Sequence, residues 1–183
     1  MTARLELHRD YQDMLEALAR TGAEFVVLGG HAVAAHGFVR ATKDLDILVR
    51  PSRENGERVV LALARYGAPL LGVTADDFAA EGLVFQVGVA PRRIDLLTAA
   101  TGLSFDEALA GHLEVQSGTV SIPIVSLHAL LKNKRATDRP EDRRDVRELE
   151  KLHGLAQAPR APKRRAKASA KPPRRPSPPS RRR

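Results

Sequence analysis

The sequence has no cysteine and no tryptophan, and aromatic residues make up only 4% of its 183 positions. Without cysteine there is no disulfide, no thiolate-ligated zinc, no iron–sulfur cluster and no cysteine nucleophile. So few aromatics argue against a protein that stacks bases on an aromatic platform. No apolar run approaches the ~18 residues that a membrane span needs. Residues Met1 to Asp10 carry charges and no apolar segment, so no secretory leader is expected. These absences lead to the expectation of a cytoplasmic protein with no membrane partner. Hydrophobic residues at 43% are enough for a packed core.

Negative charge is missing from one region. Residues 157–183 hold eleven of the 30 lysines and arginines and seven of the twelve prolines, with no Asp or Glu. The rest of the chain carries 19 basic residues against 22 acidic ones, so the formal net charge of +8 belongs to this stretch. Repeated proline blocks helix and sheet, and nothing there can form a core. The expectation is one domain over residues 1–156 and a disordered Pro/Arg/Lys-rich basic tail over 157–183. Two readings of the tail stand. It neutralises phosphates of a nucleic acid, a contact that weakens with salt, or it is a solubilising extension.

The remainder alternates between helical and extended patterns. Leu7, Tyr11, Met14, Leu15 and Leu18 recur at helical spacing and stop before Gly22. Phe25 to Leu28 reads as a strand that meets a turn at Gly29-Gly30, with a short helix over His31 to His36. Leu45 to Val49 reads as a second strand, and Ser52 caps a helix to Tyr66. Residues 70 to 80 give a weak pattern. Strands follow at Leu83 to Val89 and Arg93 to Leu97, and Ser104 with Glu107 forms a capping box. A hairpin is expected around Gly118, then helices from Ser126 to Arg135 and from Pro140 to His153. Interleaved strands and helices imply an α/β or α+β sheet with helices packed on it.

The chemistry concentrates in three places. Asp44 and Asp46 lie two apart on a strand, so both side chains share a face. Two carboxylates that close repel, which raises one pKa or invites a cation between them. A hard divalent ion with oxygen ligands suits such a pair. Asp95, in Ile94-Asp95-Leu96, is a lone acid in an apolar strand, where burial without a partner is costly. If its strand lies beside that of Asp44 and Asp46, three carboxylates converge, as in two-metal phosphoryl transfer. Gly29-Gly30 just ahead of a helix lets a phosphate approach backbone N–H groups. A plainer reading stands beside this one. It pairs Asp44 and Asp46 with Arg40, Lys43 or Arg50, pairs Asp95 with Arg92 or Arg93, and makes the glycines a simple turn. Asp142 and Asp145 are expected to balance Arg143, Arg144 and Arg147.

The order Gly29-Gly30, thirteen residues, Asp44-Leu45-Asp46-Ile47, then Ile94-Asp95-Leu96 resembles the nucleotidyltransferase superfamily (DNA polymerase β-like). Gly29-Gly30-His31-Ala32, His36-Gly37, Arg40, Thr42 and the helix pair with Lys132, Lys134, Arg135, Asp142 and Asp145 resemble one bacterial branch. That branch is related to abortive-infection and toxin–antitoxin nucleotidyltransferases. The resemblance spans roughly residues 5–153. It implies an α+β nucleotidyltransferase fold, a small mixed β-sheet flanked by α-helices, and transfer of a nucleoside monophosphate from an NTP to an acceptor hydroxyl, with two Mg²⁺ ions. The acceptor implied is an RNA 3′ end such as a tRNA, a protein or a small molecule, and a toxin role would add an antitoxin partner. By resemblance Asp44, Asp46 and Asp95 are the metal ligands, with Asp95 the candidate base. Gly29, Gly30, Lys134, Arg40 and Thr42 are nucleotide-binding candidates, and Lys132 is a lesser one. Many members carry Ser where this chain has Gly30, which leaves His31 as a candidate substitute. The other reading is a catalytically weak nucleotide-binding or nucleic-acid-binding protein tethered by its basic tail.

Overall fold

The apolar run at 25–28 and the segments 45–49 and 94–96, apolar apart from Asp46 and Asp95, become the centre of a sheet. A computed structural model describes residues 6–155; the expected basic tail at 157–183 lies outside the described residues. Six strands pair in the order β3-β4-β2-β1-β6-β5. They are β1 (Phe25–Val27), β2 (Asp44–Val49), β3 (Val84–Val87), β4 (Arg93–Leu97), β5 (Leu113–Ser117) and β6 (Val120–Ile124). Pairing of β2 with β4 and of β1 with β6 is parallel, and the other three pairs are antiparallel. The sheet is therefore mixed, as the family resemblance implies.

Seven helices cover it among the described residues: α1 (Arg9–Arg20), α2 (Gly29–Ala35), α3 (Arg53–Tyr66), α4 (Ala75–Ala79), α5 (Phe105–Leu109), α6 (Leu127–Thr137) and α7 (Pro140–Leu152). By mutual contact they form two groups, α1–α3–α4 and α2–α5–α6–α7. The helical spacing read in α1 buries Tyr11, Met14, Leu15 and Leu18. These meet Leu45, Ile47, Leu63, Phe78, Ile122 and Ile124 in one core. Each such side chain stabilises the fold by about 1.5–3 kcal/mol when fully buried.

Local signals set most boundaries. Ser52 caps α3 by accepting from the Asn55 N–H, and Ser126 caps α6 by accepting from the Ala129 N–H. The capping box at Ser104 and Glu107 starts α5. Two boundaries differ from expectation. Gly29 and Gly30 form the first turn of α2 instead of a turn ahead of it. Residues 70–80 contain α4, which the apolar pattern misses because only Phe78 is buried. Its signal was a Thr74–Asp77 capping box, polar and local.

One buried polar residue ties the strand ends together. Asn55, 1% exposed, accepts from the Glu24 N–H at 2.7 Å. Its side-chain amide donates to the Glu24 and Arg50 carbonyls at 3.0 and 3.1 Å. These bonds fasten α3 to the start of β1 and the end of β2. Asn55→Ala strands the Glu24 N–H, while the Glu24 and Arg50 carbonyls keep the Arg50 and Ser52 N–H groups as partners, and it is expected to cost about 1–3 kcal/mol. Denaturant unfolding checks this, and a loss under about 0.5 kcal/mol means the anchor is not used.

Candidate active site

Parallel pairing of β2 with β4 sets Asp46 opposite Asp95 and Asp44 opposite Arg93. Side chains two apart on a strand share a face, so these four meet on one patch of the sheet. The condition posed by the sequence is met: the third acid lies beside the first two. The nearest cation is Arg93, not Arg40, Lys43 or Arg50. Its Nη2 donates to Asp44 Oδ2 at 2.7 Å and its Nε to Asp95 Oδ1 at 2.9 Å.

Asp46 bears the electrostatic load. Burial pushes its carboxyl up, and the charges of Asp44 and Asp95 push it further, to about 6. Lys134 and Arg93 pull the other way and do not prevail. An acid held this far above its ordinary 3.8 lacks a cation of its own.

Glycine at 29 is a geometric requirement of this patch. A Cβ there would lie 1.9 Å from Asp46 Oδ2, and the residue has φ of +65°. Only glycine combines that conformation with that approach. At Gly30 a Cβ would lie 2.5 Å from Thr42 Oγ1. The Thr42 hydroxyl thus fills the room that a residue-30 side chain would need. Thr42 Oγ1 also reaches Asp44, its carbonyl at 3.2 Å and its Oδ1 at 3.4 Å.

A second wall comes from α6, α7 and the segment after α2. Lys134, 5% exposed, donates to Asp142 Oδ1 at 2.7 Å and lies 2.8 Å from Asp145 Oδ2. Arg40 grips Asp145 with Nε and Nη2 at 2.7 and 2.8 Å. Burial pushes Asp145 up, but the hydrogen bonds from Arg40 and Lys134 outweigh it and hold the carboxyl below its ordinary value. The expectation for α7 is therefore corrected. Asp142 and Asp145 face across to Lys134 and Arg40, because α7 packs on α6. Arg143 pairs instead with Asp138, and Arg144 lies over the Phe38 ring.

Between the walls is a cleft of about 610 Å³, a volume suited to a small ligand. Gly29, Gly30, Asp44, Asp46 and Asp95 line it, and so do Arg40, Thr42 and Lys134. All eight residues singled out from the sequence come together there. Arg93, expected only as an ion-pair partner of Asp95, lines it as well, and so do Asn133, Thr137 and Arg139, which no motif marks. Lys132 does not: it pairs with Glu107. His31 stands edge-on to Tyr11, off the cleft lining. His36 bonds the Val125 carbonyl.

The donor set is three carboxylates, hard oxygen ligands of the kind Mg²⁺ takes. The shortage of positive charge at Asp46 fits that ion. They do not stand as a finished ligand set, since no group of three acids or histidines has metal-holding geometry among the described residues. No helix among them is long and apolar enough to cross a membrane.

No family model matches the sequence, and no curated protein does. Solved structures do match. One is an aminoglycoside nucleotidyltransferase, ANT(2″)-Ia, in complex with adenylyl-2″-tobramycin. It superposes with a TM-score of 0.50 at 16% identity, over 79% of this chain and 88% of that one. This chain has the nucleotidyltransferase fold.

Asp46 gives the site a pH signature. Its folded-state pKa lies above the unfolded one, so stability falls as pH rises from about 4 to about 6 and stays low above that. Asp46→Asn removes the charge and is expected to raise stability by about 1–3 kcal/mol at pH 7.5, and by little at pH 4.5. Unfolding curves at the two pH values test this. An equal gain at both contradicts a half-buried Asp46 that ionises near pH 6.

Proposed function

We propose that the chain transfers a nucleoside monophosphate from an NTP to an acceptor hydroxyl and releases pyrophosphate. The observation that carries this is the meeting of Asp44, Asp46 and Asp95 in the cleft whose far wall holds Lys134 and Arg40. The fold shared with an aminoglycoside nucleotidyltransferase supports it.

In this reading the acceptor oxygen attacks the α-phosphorus, and the bond from that phosphorus to the bridging oxygen of the β-phosphate breaks. Asp44, Asp46 and Asp95 would hold Mg²⁺, and Asp95 would take the proton of the attacking hydroxyl. The chemistry that Mg²⁺ would supply there is neutralisation of negative charge on the nucleotide. Lys134 spends two of its three donors on Asp142 and Asp145, which leaves one for a phosphate. Asp142 and Asp145 are positioning residues, since they hold Lys134 and Arg40 at the cleft. The Gly29-Gly30 backbone lies close enough for the triphosphate to approach it.

Thr42 answers the missing serine. Its hydroxyl occupies the space of a residue-30 side chain, so Thr42 is the phosphate-binding hydroxyl in place of the serine other members carry. The acceptor class, an RNA 3′ end, a protein or a small molecule, follows from the labelling experiment below. A toxin role and an antitoxin partner rest on the sequence resemblance. The reading of a weak, non-catalytic nucleotide binder has one observation behind it: Arg93 spans two of the three acids.

The decisive experiment incubates labelled ATP, CTP, GTP and UTP with Mg²⁺ and the RNA, protein and small-molecule fractions of a bacterial lysate. Label should enter one fraction, and Asp46→Asn should lower the rate by roughly 100- to 1000-fold. Nucleotide binding without transfer to any fraction would favour the non-catalytic reading. For Thr42, Gly30→Ser alone is expected to weaken nucleotide binding through the clash. Adding Thr42→Gly should recover it by moving the hydroxyl to position 30. Calorimetry measures both, and a double variant no better than the single one excludes this role.

A further inference from the structure

The guanidinium of Arg93 lies against two of the three carboxylates of the patch, those of Asp44 and Asp95. It stands opposite Asp44 and two residues before Asp95, so the β2–β4 register delivers it to the same face as the acids. One side chain reaches both, through Nη2 to Asp44 Oδ2 and Nε to Asp95 Oδ1. We propose that Arg93 is the resident counter-ion of the triad and that a divalent cation loads only by displacing it from Asp44 and Asp95. The inference rests on the metal-binding reading above.

Three observations carry it. First, the two interactions are charge-assisted and short, the strong kind, so they compete in earnest for the oxygens a metal would take. Second, the guanidinium and a divalent ion cannot share the patch cheaply, because like charges a few ångströms apart repel. Third, the Arg93 side chain is 34% exposed. It has solvent on one side and a route out of the patch. By contrast Lys134, the other nearby cation, is buried and held by two acids of its own.

The consequence is coupling between metal and nucleotide. A bare ion must displace Arg93 with only carboxylates in return. An ion arriving on a triphosphate brings further oxygen ligands and supplies the freed guanidinium with phosphate oxygens to bond. Metal and nucleotide therefore strengthen each other's binding, and by linkage the effect is reciprocal.

The test measures Mn²⁺ binding by electron paramagnetic resonance, with and without a non-hydrolysable NTP, for wild type, Arg93→Gln, and Arg93→Gln combined with Asp44→Asn. Without nucleotide, Arg93→Gln should bind Mn²⁺ roughly tenfold or more tighter than wild type. The double variant should lose that gain. If Arg93→Gln fails to fold, Arg93→Lys carries the test. It keeps the charge but loses the two-pronged grip, so it should also bind tighter than wild type. Equal or weaker binding by the single variants, while wild type binds Mn²⁺ with nucleotide, overturns the Arg93 proposal and leaves the metal site standing. No Mn²⁺ on any of these proteins, with or without nucleotide, overturns the metal reading and this inference with it.

Discussion

The register between β2 and β4 is the constraint on which the cleft depends. It sets Asp46 against Asp95 and Asp44 against Arg93. Two carboxylates directly opposite each other destabilise a strand pair, so this alignment works against the sheet at that point. What enforces it is the apolar face beneath. Leu45 and Ile47 alternate with the acids on β2, and Ile94 and Leu96 do so on β4; all four are fully buried. A slip by one residue would bury the acids and expose that face. The core therefore holds the acids together against their repulsion, and Asp46 shows the result, pushed up to about 6 by burial first and by the charges of Asp44 and Asp95 next.

The far wall solves the opposite problem. Arg40 and Lys134 are cations beside a cleft, and Lys134 is buried. Asp145, wholly enclosed, accepts from both, and Asp142 takes a second hydrogen of Lys134. Two positive and two negative charges cancel within the cluster. Breaking such a buried set by removing one partner typically costs about 3–5 kcal/mol. A variant of Lys134 therefore tests folding as much as chemistry. Asp46 and Thr42 reach the cleft without that burden, which makes them cleaner probes.

Much of this was legible in the sequence, and the reason is locality. Alternation within β2 and β4 put each acid on a known face, and caps at Ser52, Ser104 and Ser126 set helix starts from residues within one turn. The eight site residues could be named because their types and spacing resemble a known pattern. What could not be read was pairing across elements. The plain alternatives for the acids offered several partners, and only the sheet order selects Arg93. Asp142 and Asp145 sit among arginines in sequence, yet the packing of α7 on α6 turns them toward Lys134 and Arg40. Helix α4 was missed because its start is marked by Thr74 and Asp77 and its core contribution is one residue, Phe78.

The location of Asp145 also bears on how the molecule is made. Arg40 leaves the ribosome early, before most of the sheet exists, whereas its carboxylate partner lies 105 residues further on. Domains begin to fold while synthesis continues, at about 5–20 residues per second. For several seconds the emerging chain carries the arginine, and later the lysine, without the acids that fix them. The cleft closes its own charge balance only when α7 docks, so a product cut short before that helix leaves Lys134 and Arg40 without the acids that hold them.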